Sequence, residues 1–184
     1  MGDMINHNAL LNDLLNRTLE VKFQDKLWKS NYAEADLFEV WRVLQQAETK
    51  YPLIWLQTGY VVNERRNSNR ITLQGCKFFF ITKGDSNDYY KRRFQTTYQE
   101  ILYPLKDLFI KSIEESKGIS YSDDFSFITF PFNDVSELSA RDAVNGSKRL
   151  DENSLAQDYW DSLLLNVDLT ISTGCYPEYN VIKK

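Results

Sequence analysis

The sequence predicts an α+β domain: a mostly antiparallel sheet of about four strands, covered on one face by a long helix and preceded by N-terminal helices. Three observations carry this. Between Tyr89 and Ser116, the residues Phe94, Tyr98, Ile101, Leu102, Leu105, Leu108, Phe109 and Ile113 recur at spacings of three and four, which lines one face of an α-helix. On either side of it lie the strand-like stretches Ile71–Lys83 and Phe125–Phe132. Finally, Tyr159–Thr173 alternates: Leu163, Leu165, Val167, Leu169 and Ile171 point one way, Ser162, Asn166, Asp168 and Thr170 the other, and only Leu164 breaks the pattern. An apolar stripe as wide as that of the helix needs a surface to cover, and a sheet supplies one.

The composition fits. The 184 residues make one domain large enough to bury a core without staples. Apolar residues at 42% and charged residues at 26% are the balance of a globular chain, not a disordered one. Aromatic residues reach 14%, which suits a well-filled core. The net charge of −4 argues against a general nucleic-acid binder. Cys76 and Cys175 lack Cys-x-x-Cys spacing, so free thiols are expected. Met1-Gly2-Asp3-Met4 is not the start of a signal peptide, and no apolar run reaches membrane-spanning length. The expected setting is aqueous and reducing, with no membrane.

In chain order, Leu10, Leu11, Leu14, Leu15 and Leu19 form the stripe of a short first helix, with Asp3, Asn6 or Asn8 as its cap. Glu20–Asn31 is too irregular to assign. A second helix is predicted over Glu34–Glu48, where Leu37, Phe38, Trp41, Leu44 and Ala47 share a face; Lys50 suits its negative end, and Tyr51-Pro52 stops it. Leu53–Gln57 reads as a short buried strand, Thr58-Gly59 as a turn, and Tyr60–Asn63 as a continuation at the edge. Glu64–Asn69 reads as a solvated loop. Arg70–Lys83 is a long strand, in which Gly75 predicts a bulge or a close approach by another backbone. Gly84–Asp88 turns into the long helix, for which Ser86 or Asp88 is a cap and Lys117-Gly118 a stop. Its polar face is Lys91, Arg92, Gln95, Gln99, Lys106, Lys111 and Glu115, and Pro104 predicts a kink. Pro131 places the end of Phe125–Phe132 at a sheet edge or bulge. Residues 133–158 are a polar excursion, either a solvated loop or an arm that orders against a partner. The tail from Gly174 to Lys184 is expected to be loosely held.

Catalytic motifs are scarce. The single histidine, His7, sits near the start of the chain, so hydrolytic triads and imidazole-based metal sites are starved. No Gly-rich phosphate loop occurs. Asp123-Asp124 and Asp151-Glu152 are the closest carboxylate pairs, and both read as solvated loop. Glu64-Arg65-Arg66-Asn67 and Lys91-Arg92-Arg93 are the basic clusters; the second overlaps a first helical turn, where positive charge opposes the dipole. Trp55, Tyr60, Tyr159 and Trp160, near strand ends, either anchor an interface or plug the core. No catalytic residue, metal ligand or cofactor is assigned.

The layout resembles the tail-completion (tail-terminator) and neck proteins of tailed bacteriophages. The resemblance runs over residues 34–173. It rests on the helix ending in Tyr-Pro-Leu-Ile-Trp-Leu at Tyr51–Leu56, the hairpin feeding the long helix, and the closing strand Tyr-Trp-Asp-Ser-Leu-Leu-Leu-Asn-Val-Asp-Leu-Thr-Ile at Tyr159–Ile171. It implies a non-enzymatic virion subunit, assembled in the bacterial host cytoplasm. Such a subunit forms a hexameric or dodecameric ring between portal and tail, through which DNA passes without specific binding. A ring subunit needs a wet sheet face or edge and an arm to reach its neighbour. On that reading Arg141, Asn145, Lys148 and Arg149 in the arm, and Trp160, Asn166 and Asp168 on the closing strand, contact partners. Two alternatives remain open: a protein-interaction module with an unidentified partner, and an enzyme with a carboxylate site at Asp123 and Asp124.

Overall fold

The computed structural model describes residues 11–12, 20–23, 26–45, 51–65, 70–84, 88–129 and 159–172. The chain is α+β, and its main sheet is mixed, with seven strands instead of about four. The described chain opens with Leu11 and Asn12, which are helical, Leu11 being buried in the core. A two-stranded antiparallel hairpin follows, β1 (Glu20–Phe23) and β2 (Lys26–Lys29), in the stretch whose pattern was irregular. The main sheet then begins with β3 (Asn31–Ala35), which runs parallel to β4 (Leu53–Gln57). A parallel pair needs a crossover, and helix α1 (Leu37–Gln45) provides it. Glu34 and Ala35, expected in the helix, therefore lie in a strand, and the helix starts at an Asp36 cap whose Oδ1 accepts the Glu39 N–H at 2.7 Å. Lys50 and Ala47 lie outside the described residues.

The antiparallel part of the sheet is built on β6 (Arg70–Gly84) and β9 (Tyr159–Ser172), paired along almost their whole length. The other edge of β6 is shared by β4, along Lys77–Ile81, and by β5 (Val61–Arg65), along Arg70–Gln74. Glu64 and Arg65, expected in a loop, thus complete a strand. The far edge of β9 is shared by two short strands, β7 (Ile119–Tyr121) and β8 (Ser126–Thr129). β7 has no counterpart in the sequence reading, and the strand expected over Phe125–Phe132 is described only as far as Thr129. The bulge predicted at Gly75 is present: the β6–β9 register slips between Leu73 and Cys76, and Gly75 sits at φ +71°, where a side chain would be strained.

The long helix α2 runs in three stretches: Tyr90–Arg93 and Tyr103–Glu115 are α-helical, and Phe94–Leu102 between them forms π-helical turns. Where Pro104 predicts a kink, the structure shows a π-helical stretch that ends just before it. The Tyr103 N–H donates to the Tyr98 carbonyl five residues back, so the proline, which has no N–H, enters the first turn of a fresh α-helical stretch. Neither expected cap is seen. Ser86 is outside the described residues, Tyr89 takes the cap position without a side-chain bond, and Asp88 pairs with Arg92 at 3.2 Å one turn on. The predicted stop holds, with Gly118 at φ +84°.

Both faces of the sheet centre are covered. Tyr98, Leu102, Leu105, Phe109 and Ile113 of α2 pack on Ile54, Leu56, Phe78, Phe80 and the series Leu163, Leu165, Val167, Leu169 and Ile171. On the opposite face Val40 and Leu44 of α1 close over Leu53, Trp55, Phe79 and Ile81. That explains the unbroken apolar runs of β4 and β6, since alternate residues serve two cores. It also explains Leu164, which joins the second core. Phe38, expected on the buried side of its helix, is 75% exposed. Lys106, expected on the polar face of α2, is buried; its ammonium pairs with Asp107 and lies 4.9 Å from the ring centre of Phe127.

Candidate functional site

The site residues proposed from sequence divide into three groups. Arg141, Asn145, Lys148 and Arg149 lie outside the described residues. Trp160 is half-buried against the second core, where its Nε1 donates to the Tyr51 hydroxyl at 2.7 Å, so it plugs the end of that core. Asn166 and Asp168, on the face of β9 turned away from α2, tie strands together. The Asn166 Nδ2 reaches Ser126 Oγ of β8 at 3.4 Å, and Asp168 Oδ1 accepts the N–H of the bulged Gly75 at 2.7 Å. They hold in place the two features that shape the sheet margins, β8 and the β6 bulge.

Those margins are where apolar surface is exposed. Every residue of β5 is exposed, with Val61 at 56% and Val62 at 42%; on β8, Phe127 is at 46% and Ile128 at 48%. Among the described residues β5 pairs only with β6, and β8 only with β9. Because β6 and β9 are neighbours, β5 and β8 line opposite edges of one sheet. Among the described residues neither outer edge has a strand partner, and each carries apolar side chains on both faces. An edge of that kind templates another strand. Proline and lysine, common guards against such pairing, occur in neither strand. Phe127 is held from behind, with the Tyr103 ring edge-on at 6.0 Å, and exposed Phe125 packs edge-on to Tyr121 at 5.7 Å. The sequence reading placed Tyr60–Asn63 at an edge and the end of Phe125–Phe132 at an edge or bulge, but not on opposite edges of one sheet, because strand order depends on partners distant in the chain.

A second group of polar side chains lies at the margin of the α2 face. Tyr60 donates its hydroxyl proton to Glu34 Oε1 at 2.8 Å, and Tyr32 packs nearby. Burial, reinforced by the Glu34 carboxylate, pushes both tyrosine hydroxyls above their ordinary range. Cys76, fully buried, donates to the Leu73 carbonyl at 3.7 Å. Burial first, then the charges of Asp168 and Glu34, pushes its thiol up to about 12. A thiol held protonated is a poor nucleophile. In a Cys175→Ser background, native Cys76 is therefore expected to alkylate at pH 8 about a thousandfold more slowly than an ordinary thiol, from its thiolate fraction alone. Labelling at the rate of an exposed cysteine would refute this. The same shift fixes a pH dependence. The folded pKa lies above the ordinary 9.0, so the contribution is fully present below about pH 9 and is lost as pH rises toward about 12. Tyr32 and Tyr60 act in the same direction from about pH 10 upward. Urea midpoints measured from pH 7 to pH 11 should be level at first and then fall.

No protein-family model, curated protein or solved structure matches the chain. Among the described residues, no helix is long and apolar enough to cross a membrane, and no group of three or more His, Cys, Asp or Glu side chains is placed to hold a metal ion.

Proposed function

We propose that this chain is a structural, non-enzymatic subunit that closes into a homo-oligomeric ring. The ring would lie at the head–tail connector of a tailed bacteriophage virion, between portal and tail, with DNA passing through it without specific binding. One observation carries the reading: two strands with exposed apolar side chains lie on opposite edges of one sheet, and among the described residues neither has a strand partner on its outer side. Contacts between two different surfaces of the same chain repeat head to tail, and they make a ring when the rotation closes. A subunit fastened through one edge only would instead form a pair. The sheet between the edges is suited to bearing load, being covered on both faces at its centre and tied at β8 and at the bulge by Asn166 and Asp168. The polar arm over residues 133–158, which follows β8 in the chain, and its Arg141, Asn145, Lys148 and Arg149, are assigned to contacts with neighbouring copies and with portal or tail proteins.

The test is the native mass over a dilution series, by light scattering or native mass spectrometry. A discrete assembly of six or twelve copies is expected. A monomer at every concentration overturns the ring, and a 1:1 complex with a partner protein would then favour an interaction module that receives a strand at one edge.

A further inference from the structure

We infer that β8 of one copy pairs antiparallel with β5 of the next, so that a single hydrogen-bonded sheet runs around the ring. This rests on the ring reading above and names its interface.

Strand direction comes first. β5 is antiparallel to β6, β6 to β9, and β9 to β8, so β5 and β8 of one chain run in opposite directions. When the next copy repeats in the same orientation, its β5 meets β8 antiparallel and the alternation continues without a break. An isologous pairing, β5 with β5 or β8 with β8, would leave the other edge open on each side and stop at two copies.

Charge favours the same orientation. Antiparallel pairing sets the Glu64-Arg65 end of β5 against the start of β8, which exposed Asp123 and Asp124 precede. Residues paired across strands share a face of the sheet, and Val62, beside Leu73, and Phe127, beside Leu165, both lie on the α2 face. With Val62 opposite Phe127, Val61 falls against Ile128 and Arg65 against Asp124. The Arg65 cation thus meets the carboxylate of Asp124 at one end of the joint. Parallel pairing would carry Arg65 to the Thr129 end, away from both aspartates. Exposed Val62 and Phe127 on one face, and Val61 and Ile128 on the other, would cover each other, which removes apolar surface that each copy otherwise leaves in water.

The offset of the two edges suits closure. Traced onto β9, β8 is centred between Leu164 and Leu165, whereas β5, through β6, is centred at Thr170. That is an offset of about 18 Å along the strands at about 3.3 Å per residue. One copy contributes four inter-strand steps, from β5 through β6, β9 and β8 to the next β5, or about 19 Å across the sheet. Each copy therefore advances along the strands about as far as across them, and strands inclined at about 40° to the ring axis absorb the advance without producing a spiral; closed sheets tilt by about that much. β3 of the adjoining copy, which extends the sheet beside the opposite half of β6, comes to lie beyond the end of β8 and does not compete for its edge.

Cysteine pairing tests this directly. In a Cys175→Ser background, the variant Val61→Cys with Ile128→Cys is oxidised mildly at the concentration where the native mass shows assembly. Within one chain the two positions lie on opposite edges, with β6 and β9 between them, too far apart for a disulfide. The expected result is a reducible ladder of covalent multimers ending at the native ring mass, with no ladder from either single variant. The register-matched pairs Val62→Cys with Phe127→Cys and Asn63→Cys with Ser126→Cys are run alongside. A ring by native mass with no ladder from any of the three pairs overturns the edge pairing and leaves the ring standing. Dimers from a single-cysteine variant overturn it in favour of isologous contact. A monomer at every concentration overturns both. As a second measurement, Val62→Lys should keep the far-UV spectrum and melting temperature of the parent while weakening assembly about tenfold or more.

Discussion

Replacing Asp161 by alanine is expected to lower stability by about 3–5 kcal/mol, the usual cost of removing one partner from a buried ion pair. Asp161 is fully buried on the second strand of the β6–β9 pair. Its Oδ1 accepts from Arg93, and its Oδ2 lies 2.8 Å from the Thr97 hydroxyl. Arg93 is itself largely withdrawn from solvent, so deleting the carboxylate strands a guanidinium beside apolar packing. The group joins three parts of the fold: the N-terminal end of α2, the end of β6 and the beginning of β9. At the β6 end, Gly84 admits the carboxylate by having no side chain, since a Cβ there would stand 2.7 Å from Asp161 Oδ2. One turn along, the Tyr98 hydroxyl donates to the Ser162 carbonyl at 2.8 Å and fastens the same junction. For a chain of this length the loss corresponds to a fall in Tm on the order of 10 °C. Urea unfolding of Asp161→Ala, Arg93→Ala and the double variant checks it. The two single changes should be costly and the double markedly less than their sum. An Asp161→Ala variant within about 1 kcal/mol of the parent would sink the account.

This junction also shows where sequence reading stops. Asp161 was legible as one polar residue at the start of an alternating strand, but its partner lies 68 residues earlier in the chain, among three consecutive cations. Nothing local marks Arg93, and not Lys91 or Arg92, as the one that turns inward. What local pattern does determine was read correctly. The stripe of α2, the three long or buried strands β4, β6 and β9, the bulge at Gly75 and the stop at Gly118 all follow from period, glycine placement and side-chain type. Errors arose where a long-range partner overrides the local signal. Asn31–Ala35 has no strand pattern of its own and becomes a strand by lying beside β4 across a helix. Phe38 matched a helical face, yet the face that packs is that of Val40 and Leu44, because the second core lies on that side. Lys106 falls on the polar side of α2 by count and is buried by the arrival of Phe127. Edge status had a local signal at Tyr60–Asn63 and at Pro131, but that these strands line opposite edges of one sheet, on which the proposed interface depends, is a property of strand order. Of the proposed site residues, Asn166 and Asp168 lie near one another on β9, while Trp160 lies about 20 Å or more away at the beginning of the strand. Their described contacts are within the fold, while the arm residues fall outside the described part.

Truncating Phe109 to alanine is expected to cost about 3–5 kcal/mol, comparable to the loss of Asp161 but through a cavity, not a stranded charge. Phe109 is fully buried midway along the second α-helical stretch of α2, with the Phe78 ring centre at 4.8 Å and that of Phe80 at 5.6 Å. Those two rings belong to the central strand of the sheet, so Phe109 fixes the helix to the scaffold that holds both open edges. The surroundings limit collapse into the vacated space, since neighbouring Leu105 and Ile113 are already buried and β6 is held by strands on both sides. Phe38→Ala is the matched control: the same side chain, 75% exposed, should change stability by less than about 0.5 kcal/mol. The pair also separates folding from assembly. Phe109→Ala leaves β5 and β8 intact, so at low temperature it should retain the native mass of the parent while unfolding at a lower urea midpoint. Val62→Lys should do the reverse. Loss of native mass in Phe109→Ala while it remains folded would mean that the rigidity of the helix-covered face, and not the edges alone, sets the geometry of the ring.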